Sequence, residues 1–264
     1  GEKSHQRAMI FTHIDEPGLV VKNIGEQGFL DFNIVGPLKP KDLASQEVYV
    51  WGNKKILGLT GLRPPHILSR EESKAPVTLE EMSIDTGFSS DQISKYVSIG
   101  NTATIKRNYK KLQNNKVCGK ALQDRVGVAI LYDVISKLEK LSMDLYIVFG
   151  TQQYNGHMGA KVALTNIKPD IALIIDGAKA KSREDIYEKI HISKGPAIYK
   201  GPSSHPILTK WLEDFAKDNK CDYQLKAASG KNSTATWEIQ IGVGGIPTAV
   251  VLNPVKYPTS SVEV

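Results

Sequence analysis

The stretch Ala8-Met-Ile-Phe-Thr12, followed at once by His13-Ile-Asp15-Glu16-Pro17-Gly18, sets the frame for the whole chain. Five residues of apolar or β-branched character, cut off by polar residues, Pro and Gly, have the length and composition of a buried strand. The residues that follow then stand at a strand end. Three more runs share this texture, Leu145–Phe149, Ile171–Ile175 and Thr248–Leu252. Helical patterns separate them. From Asp124 to Lys140 the spacing predicts a helix with Val126, Ala129, Ile130, Val134, Ile135, Leu138 and Leu141 on one buried face, an acid at its start and Lys137 and Lys140 near its end, as the helix dipole favours. From His205 to Lys217 the pattern repeats through Leu208, Trp211, Leu212 and Phe215, with Pro206 in the first turn. Strands alternating with helices imply an α/β domain built on a mostly parallel sheet.

The texture changes between Gly18 and about Asn115. Short alternating runs broken by Gly, Pro and Asn, such as Gly28-Phe-Leu-Asp-Phe-Asn-Ile34, Glu47-Val-Tyr-Val-Trp51 and the run from Tyr96 to Ile105, read as antiparallel β structure. Both flanks look like parts of one sheet. The expected organisation is therefore an α/β domain made of residues 1–16 and 116–264, carrying an inserted β-rich domain at 17–115.

Composition narrows the class of function. With 264 residues and 41% apolar content the chain can bury a full core. It has no eighteen-residue apolar run and no signal-peptide pattern at its start, which predicts a cytoplasmic protein with no membrane partner. Cys118 and Cys221 are far apart and have no Cys or His at metal spacing, so free buried thiols are expected. The net charge of +6 is matched by six basic residues between Lys106 and Lys120, a stretch with no acid and one aromatic, Tyr109. That pattern reads as a solvated strand edge or linker, and nucleic acid is not expected as a partner.

In open α/β sheets ligands bind beyond the carboxyl ends of the strands. There the sequence places His13 and Asp15, then Gln152-Gln153-Tyr154-Asn-Gly156, then Asp176, then Asn253-Pro-Val-Lys256-Tyr257-Pro-Thr259. A His and two Asp at strand ends form a candidate metal corner, in which Asp15 could orient the His13 imidazole. By itself the pattern has structural explanations too.

The motifs carry a more specific signal. His13-Ile-Asp-Glu-Pro-Gly18 resembles the H-x-D-E-x-G opening of the tetrahedral aminopeptidases, the glutamyl and deblocking aminopeptidase family sometimes called endoglucanases. Further matches follow in the same order: Arg63-Pro-Pro-His66-Ile, Ile84-Asp85-Thr-Gly87, Ala121-Leu-Gln123-Asp124-Arg125-Val-Gly127, Gly156-His-Met-Gly159-Ala160, Pro169-Asp170-Ile-Ala, Gly195-Pro196-Ala-Ile, Gly245-Ile-Pro247-Thr-Ala, and Tyr257 with Ser260 and Glu263. The resemblance implies a parallel sheet flanked by helices, a β-barrel-like insertion used for oligomerisation, and a site in which a His, a bridging Asp, a Glu, a second Asp and a second His hold two cations beside a Glu general base. In the family, a helical segment precedes the strand leading into His13 and a helix follows the last motif; if such an element is missing here, another chain is expected to cover its apolar face.

The match breaks at the site. His13 and Asp176 stand where the family has metal ligands, with Asp15 as orienter. Gln123 replaces the bridging carboxylate, Gln153 the general base, Tyr154 the neighbouring ligand and Thr259 the second His. The family's T-D-A reads Thr234-Ala235-Thr236. Two divalent cations bring four positive charges, and of the carboxylates that would offset them only Asp176 is kept. A Tyr would have to ionise from a reference pKa of about 10 to stand in. A Gln cannot accept a proton from water, and positioned base catalysis is worth about 10²- to 10⁴-fold.

The sequence therefore predicts a catalytically silent or strongly impaired homologue with no cofactor, acting as a structural or regulatory member of an oligomer. It would self-associate through the inserted β domain, or join an active paralogue. The alternatives are an active aminopeptidase with two divalent cations, zinc or cobalt, and a protein that binds short peptides without cutting them. His157, Met158 and Tyr257 are expected to line the altered pocket; His66, Trp51, Trp211 and Trp237 are expected to be packing residues.

Overall fold

The computed structural model describes residues 6–62, 77–182, 189–228 and 234–264. Strand β1 (Arg7–His13) opens the chain. Six strands follow, β2 (Gly18–Ile24), β3 (Leu30–Val35), β4 (Glu47–Trp51), β5 (Lys55–Leu62), β6 (Met82–Asp85) and β7 (Thr102–Ile105), with helical turns α1 (Pro40–Leu43) and α2 (Ser90–Ile93) between them. A small ribbon, β8 (Lys110–Lys111) with β9 (Val117–Cys118), precedes α3 (Leu122–Lys137). The rest runs β10 (Asp144–Gly150), α4 (Met158–Ile167), β11 (Ile171–Lys179), β12 (Ala197–Lys200), α5 (Pro206–Asp218), β13 (Gln224–Ala227), α6 (Thr236–Ile241) and β14 (Thr248–Val255).

These elements form two compact units, residues 1–15 with 121–258 and 263–264, and residues 16–120 with 259–262. The first is an α/β unit on a six-stranded sheet of order β10-β1-β11-β14-β12-β13. The first four strands run parallel, and β12 runs antiparallel to β14. The four apolar runs of the sequence are the four neighbouring parallel strands β10, β1, β11 and β14, each longer by a few residues than its apolar stretch because the ladder continues into polar positions. Alternation along β1 sends Met9 and Phe11 into a core with Ala160 and Leu164 of α4, Ile174 of β11 and Val250 and Leu252 of β14. The second unit is a closed barrel of order β2-β3-β6-β5-β4-β7, filled by Leu19, Val21, Phe32, Val48, Val50, Ile84 and Ala103 among others. Closure leaves no unpaired edge among these strands. The run from Tyr96 to Ile105, expected to be one strand, is a turn up to Asn101 and a strand only from Thr102, because backbone bonds such as Val97 N–H to the Ile93 carbonyl hold its first half.

Helix α3 departs from expectation. It ends at Lys137, and its buried positions are Asp124, Gly127 and Leu131, while Ile130, Val134, Ile135 and Leu138 are exposed. The cause is a close approach: a Cβ on Gly127 would lie 2.5 Å from Thr12 Oγ1, so the helix rests on the sheet along its glycine face. Helix α5 lies where expected, but Trp211 is 60% exposed and stacks on Phe215 rather than entering the core. With Leu208 and Leu212 it borders an apolar groove of about 540 Å³ against Ala8, Ile10, Leu145 and Leu173 of the sheet. Trp51 and Trp237 are also exposed, Trp51 donating its indole N–H to Thr104. Both cysteines are free, but Cys118 is half-buried and Cys221 exposed, because each sits in or beside a short surface connection rather than in a core element. In the basic stretch Lys106 pairs with Glu47 and Lys120 with Glu16. Arg63-Pro-Pro-His66 lies outside the described residues. No described helix is long and apolar enough to cross a membrane.

Candidate functional site

The parallel strands gather polar side chains at one end of the sheet. His13 is the last residue of β1 and is buried. Asp176 is also buried, but lies inside β11 rather than after it, opposite Leu252 of β14. The His13 Nε2 stands 3.8 Å from an Asp176 oxygen, and Nδ1 stands 3.3 Å from Asp15 Oδ1 and 3.2 Å from the Asp15 carbonyl. The other Asp15 oxygen accepts the backbone N–H of Gln153 at 3.0 Å, which ties the β10–α4 connection to the end of β1.

Helix α3 supplies a further carboxylate that its sequence did not single out. Asp124 resembles an ordinary acid in a helix first turn, yet its backbone is non-helical (φ −118°, ψ 28°) and its side chain is fully buried, accepting a hydrogen bond from Thr12. The signal was its place in the Ala121–Gly127 motif, which puts an acid directly after the departed bridging residue. Gln123 beside it is held at both ends. Its N–H donates to Glu263 at 2.8 Å, and its side chain acts as a donor to Asp176. Gly177 makes room for it, since a Cβ there would meet Gln123 Cγ at 2.4 Å.

Electrostatics follow from crowding these groups out of water. Burial, then repulsion from Asp176, pushes the Asp124 carboxyl up to about 8, against the opposing hydrogen bond from Thr12. Burial likewise raises Asp176, offset by the His13 charge and by the Gly177 N–H at 2.7 Å. Burial disfavours the charged His13, but Asp15, Asp176 and Asp124 together outweigh it and raise its pKa. Tyr154 packs edge-on against His13, with ring centroids 5.8 Å apart, and burial followed by the nearby carboxylates drives its phenol far up, so it stays neutral. Gln153 is buried. The Gln123 and Gln153 carbonyl oxygens, the Asp124 Oδ1 and the Tyr154 hydroxyl are buried without hydrogen-bond partners. His157, at a left-handed position before α4, faces Glu238 of α6 at 3.1 Å. Met158 and Tyr257 are exposed, and Thr259 falls in the barrel unit. Among the described residues no three His, Cys, Asp or Glu side chains converge closely enough to hold a metal ion.

The mostly parallel sheet and the closed six-stranded barrel are similar to those of solved tetrahedral aminopeptidases. The chain belongs to the M42 glutamyl aminopeptidase family, which it matches over residues 1–264. Aminopeptidases of this family depend on two metal ions. The chain is 27% identical over 267 residues to lysyl aminopeptidase of Pyrococcus furiosus, covering 98% of this chain and 77% of that protein. It resembles the structure of an aminopeptidase from Desulfurococcus kamchatkensis with a TM-score of 0.90 and 31% identity, covering 100% of this chain and 75% of the other. It also resembles the TET1 peptidase of Pyrococcus horikoshii, which can assemble into a tetrahedron or a large octahedral shell, with a TM-score of 0.84 and 26% identity over 100% of this chain and 79% of the other. The chain thus spans about three-quarters of these relatives' lengths.

Proposed function

We propose that this chain is a catalytically silent or strongly impaired aminopeptidase homologue, a cytoplasmic structural or regulatory subunit of an oligomer. The observation that carries the reading is Gln123. Where the family resemblance calls for a carboxylate shared by two cations, this chain has an amide, which brings no negative charge to the place beside Asp176. The donor set does not fit a pair of divalent cations: Gln153, Tyr154 and Thr259 add no negative charge, and the Tyr154 phenol is held neutral. Gln153, an amide, cannot take a proton from water.

Purified protein is expected to retain no stoichiometric zinc or cobalt by elemental analysis and to release no amino acids from di- and tripeptides. Stoichiometric metal accompanied by turnover would instead establish the active reading, which the retained His13, Asp15 and Asp176 support. Self-association is assigned to the inserted residues 17–115, by analogy with the assembling relatives, and hetero-assembly with an active paralogue is the regulatory form of the same role.

A second reading rests on the unpartnered buried polar atoms of Gln153, Tyr154 and Asp124. Such groups are costly unless something supplies hydrogen bonds, and a short peptide held without cleavage would do so. A thermal-shift screen of short peptides that found no stabilising member would remove it.

A further inference from the structure

The loop from Thr151 to His157 joins β10 to α4 and carries the only Asn-Gly pair in the sequence, Asn155-Gly156. Its first half is fastened to the candidate site: Gln153 and Tyr154 turn inward, and the Gln153 N–H is held by Asp15 at 3.0 Å. The N–H of Asn155 donates to the Gln152 carbonyl at 3.2 Å, that of His157 to Gln153 at 3.3 Å and that of Met158 to Gln152 at 3.3 Å. Gly156 is placed differently. Its N–H bonds to nothing among the described residues, and neither does the Asn155 side-chain amide; both residues are exposed.

Ring closure between a side chain and the next backbone nitrogen has two requirements: no Cβ may crowd that nitrogen, and no hydrogen bond may hold it. Glycine meets the first, and the free N–H of Gly156 meets the second. Outside the neighbouring residues, a Cβ built at 156 would have one atom within 4 Å, the Lys161 Nζ at 3.8 Å. A positive charge there favours the deprotonated nitrogen that acts as the nucleophile. The chain holds its own contrast. Asp176-Gly177 has the same ring-forming atoms, but Asp176 is 2% exposed inside β11, and its Oδ1 already accepts the Gly177 N–H at 2.7 Å.

We infer that Asn155 is a self-modification site. The Gly156 nitrogen gives its proton to solvent and bonds to the Asn155 Cγ, the bond from Cγ to the side-chain nitrogen breaks, and that nitrogen leaves as ammonia. One water then opens the cyclic imide at either carbonyl, leaving aspartate or isoaspartate at position 155. Water is the only co-reactant. Either product adds a negative charge to the loop that holds Gln153 and Tyr154, and isoaspartate lengthens the backbone by one carbon inside the turn closed by the bond from Met158 to Gln152. Neither the silence of the candidate site nor its activity enters the argument. The test incubates the full chain at pH 8 and 37 °C beside a synthetic peptide of residues 150–163, reading ammonia release, peptide maps and methylation by an isoaspartyl methyltransferase. One equivalent of ammonia is expected from position 155, at a rate within about tenfold of the peptide's, since no hydrogen bond has to break first. The rate should fall about tenfold for each unit as the pH is lowered to 6, following the deprotonated nitrogen. Asn155→Gln, at an exposed position, should abolish the release. Lys161→Gln should slow it about fivefold, the weight of one charge a few ångströms away in an aqueous setting. Asp176 should stay unmodified. Ammonia loss more than about tenfold slower than the peptide's, release undiminished in Asn155→Gln, or isoaspartate forming at Asp176 as fast as at position 155 would overturn the inference.

Discussion

Replacing Gln123 by Asp tests the charge argument directly. In the folded chain Gln123 donates to Asp176, and Asp124 already sits beside Asp176 with its carboxyl pushed up to about 8. Gln123→Asp removes the donor and brings another carboxylate into the same buried cluster. Uncompensated buried charges of this kind cost about 3–5 kcal/mol, offset in part if the new acid stays protonated. A loss of 3 kcal/mol lowers the melting temperature of a domain of this size by roughly 6–12 °C. The variant should therefore melt well below the parent when metal-free, and zinc should recover part of the loss by binding the added carboxylate. The parent should hardly respond. A ligand present at a hundred times its dissociation constant stabilises by about 2.7 kcal/mol, so the two behaviours are easily separated by calorimetry in 100 μM zinc and in chelator. If the parent itself gained several degrees with zinc, or if the metal-free variant were as stable as the parent, the reasoning from charge would be wrong.

Three other outcomes follow from the packing and the titrating groups. The unfolded Asp124 carboxyl ionises near pH 4 while the folded one keeps its proton to about 8, so the folded state binds more protons across that window and stability should fall as pH rises through it. Asp124→Asn should flatten this decline, as read from urea midpoints at pH 5 and pH 8.5; an unchanged slope would assign it elsewhere. Gly127→Ala sets helix propensity, worth about 1 kcal/mol in favour of Ala, against a Cβ placed 2.5 Å from Thr12 Oγ1, for which overpacking costs about 1–3 kcal/mol. Net destabilisation in urea is expected, and a stabilised variant would mean that α3 moves freely off the sheet. Leu131→Ala should cost about 2–5 kcal/mol, while Tyr132→Ala at a site 76% exposed should stay within about 0.5 kcal/mol, a contrast that denaturant titration resolves.

Much of this molecule was written along the chain. The four apolar runs, their strand-length limits and the change to alternating texture after Gly18 come from local patterning, because a buried parallel strand and a barrel strand need different periodicities whatever surrounds them. The motifs likewise ordered His13, Gln123, Gln153 and Asp176 before any distance was known. Tertiary structure alone decided which face of α3 is buried, since the glycine at 127 outranks seven apolar residues once the helix must approach Thr12. It also decided that Trp211 faces outward beside an apolar groove, and that Asp124, an unremarkable acid in sequence, is buried against Thr12 and Asp176. Periodicity records how apolar a face is, but close approach, burial of charge and the pairing of distant residues depend on what the other elements bring to the same place.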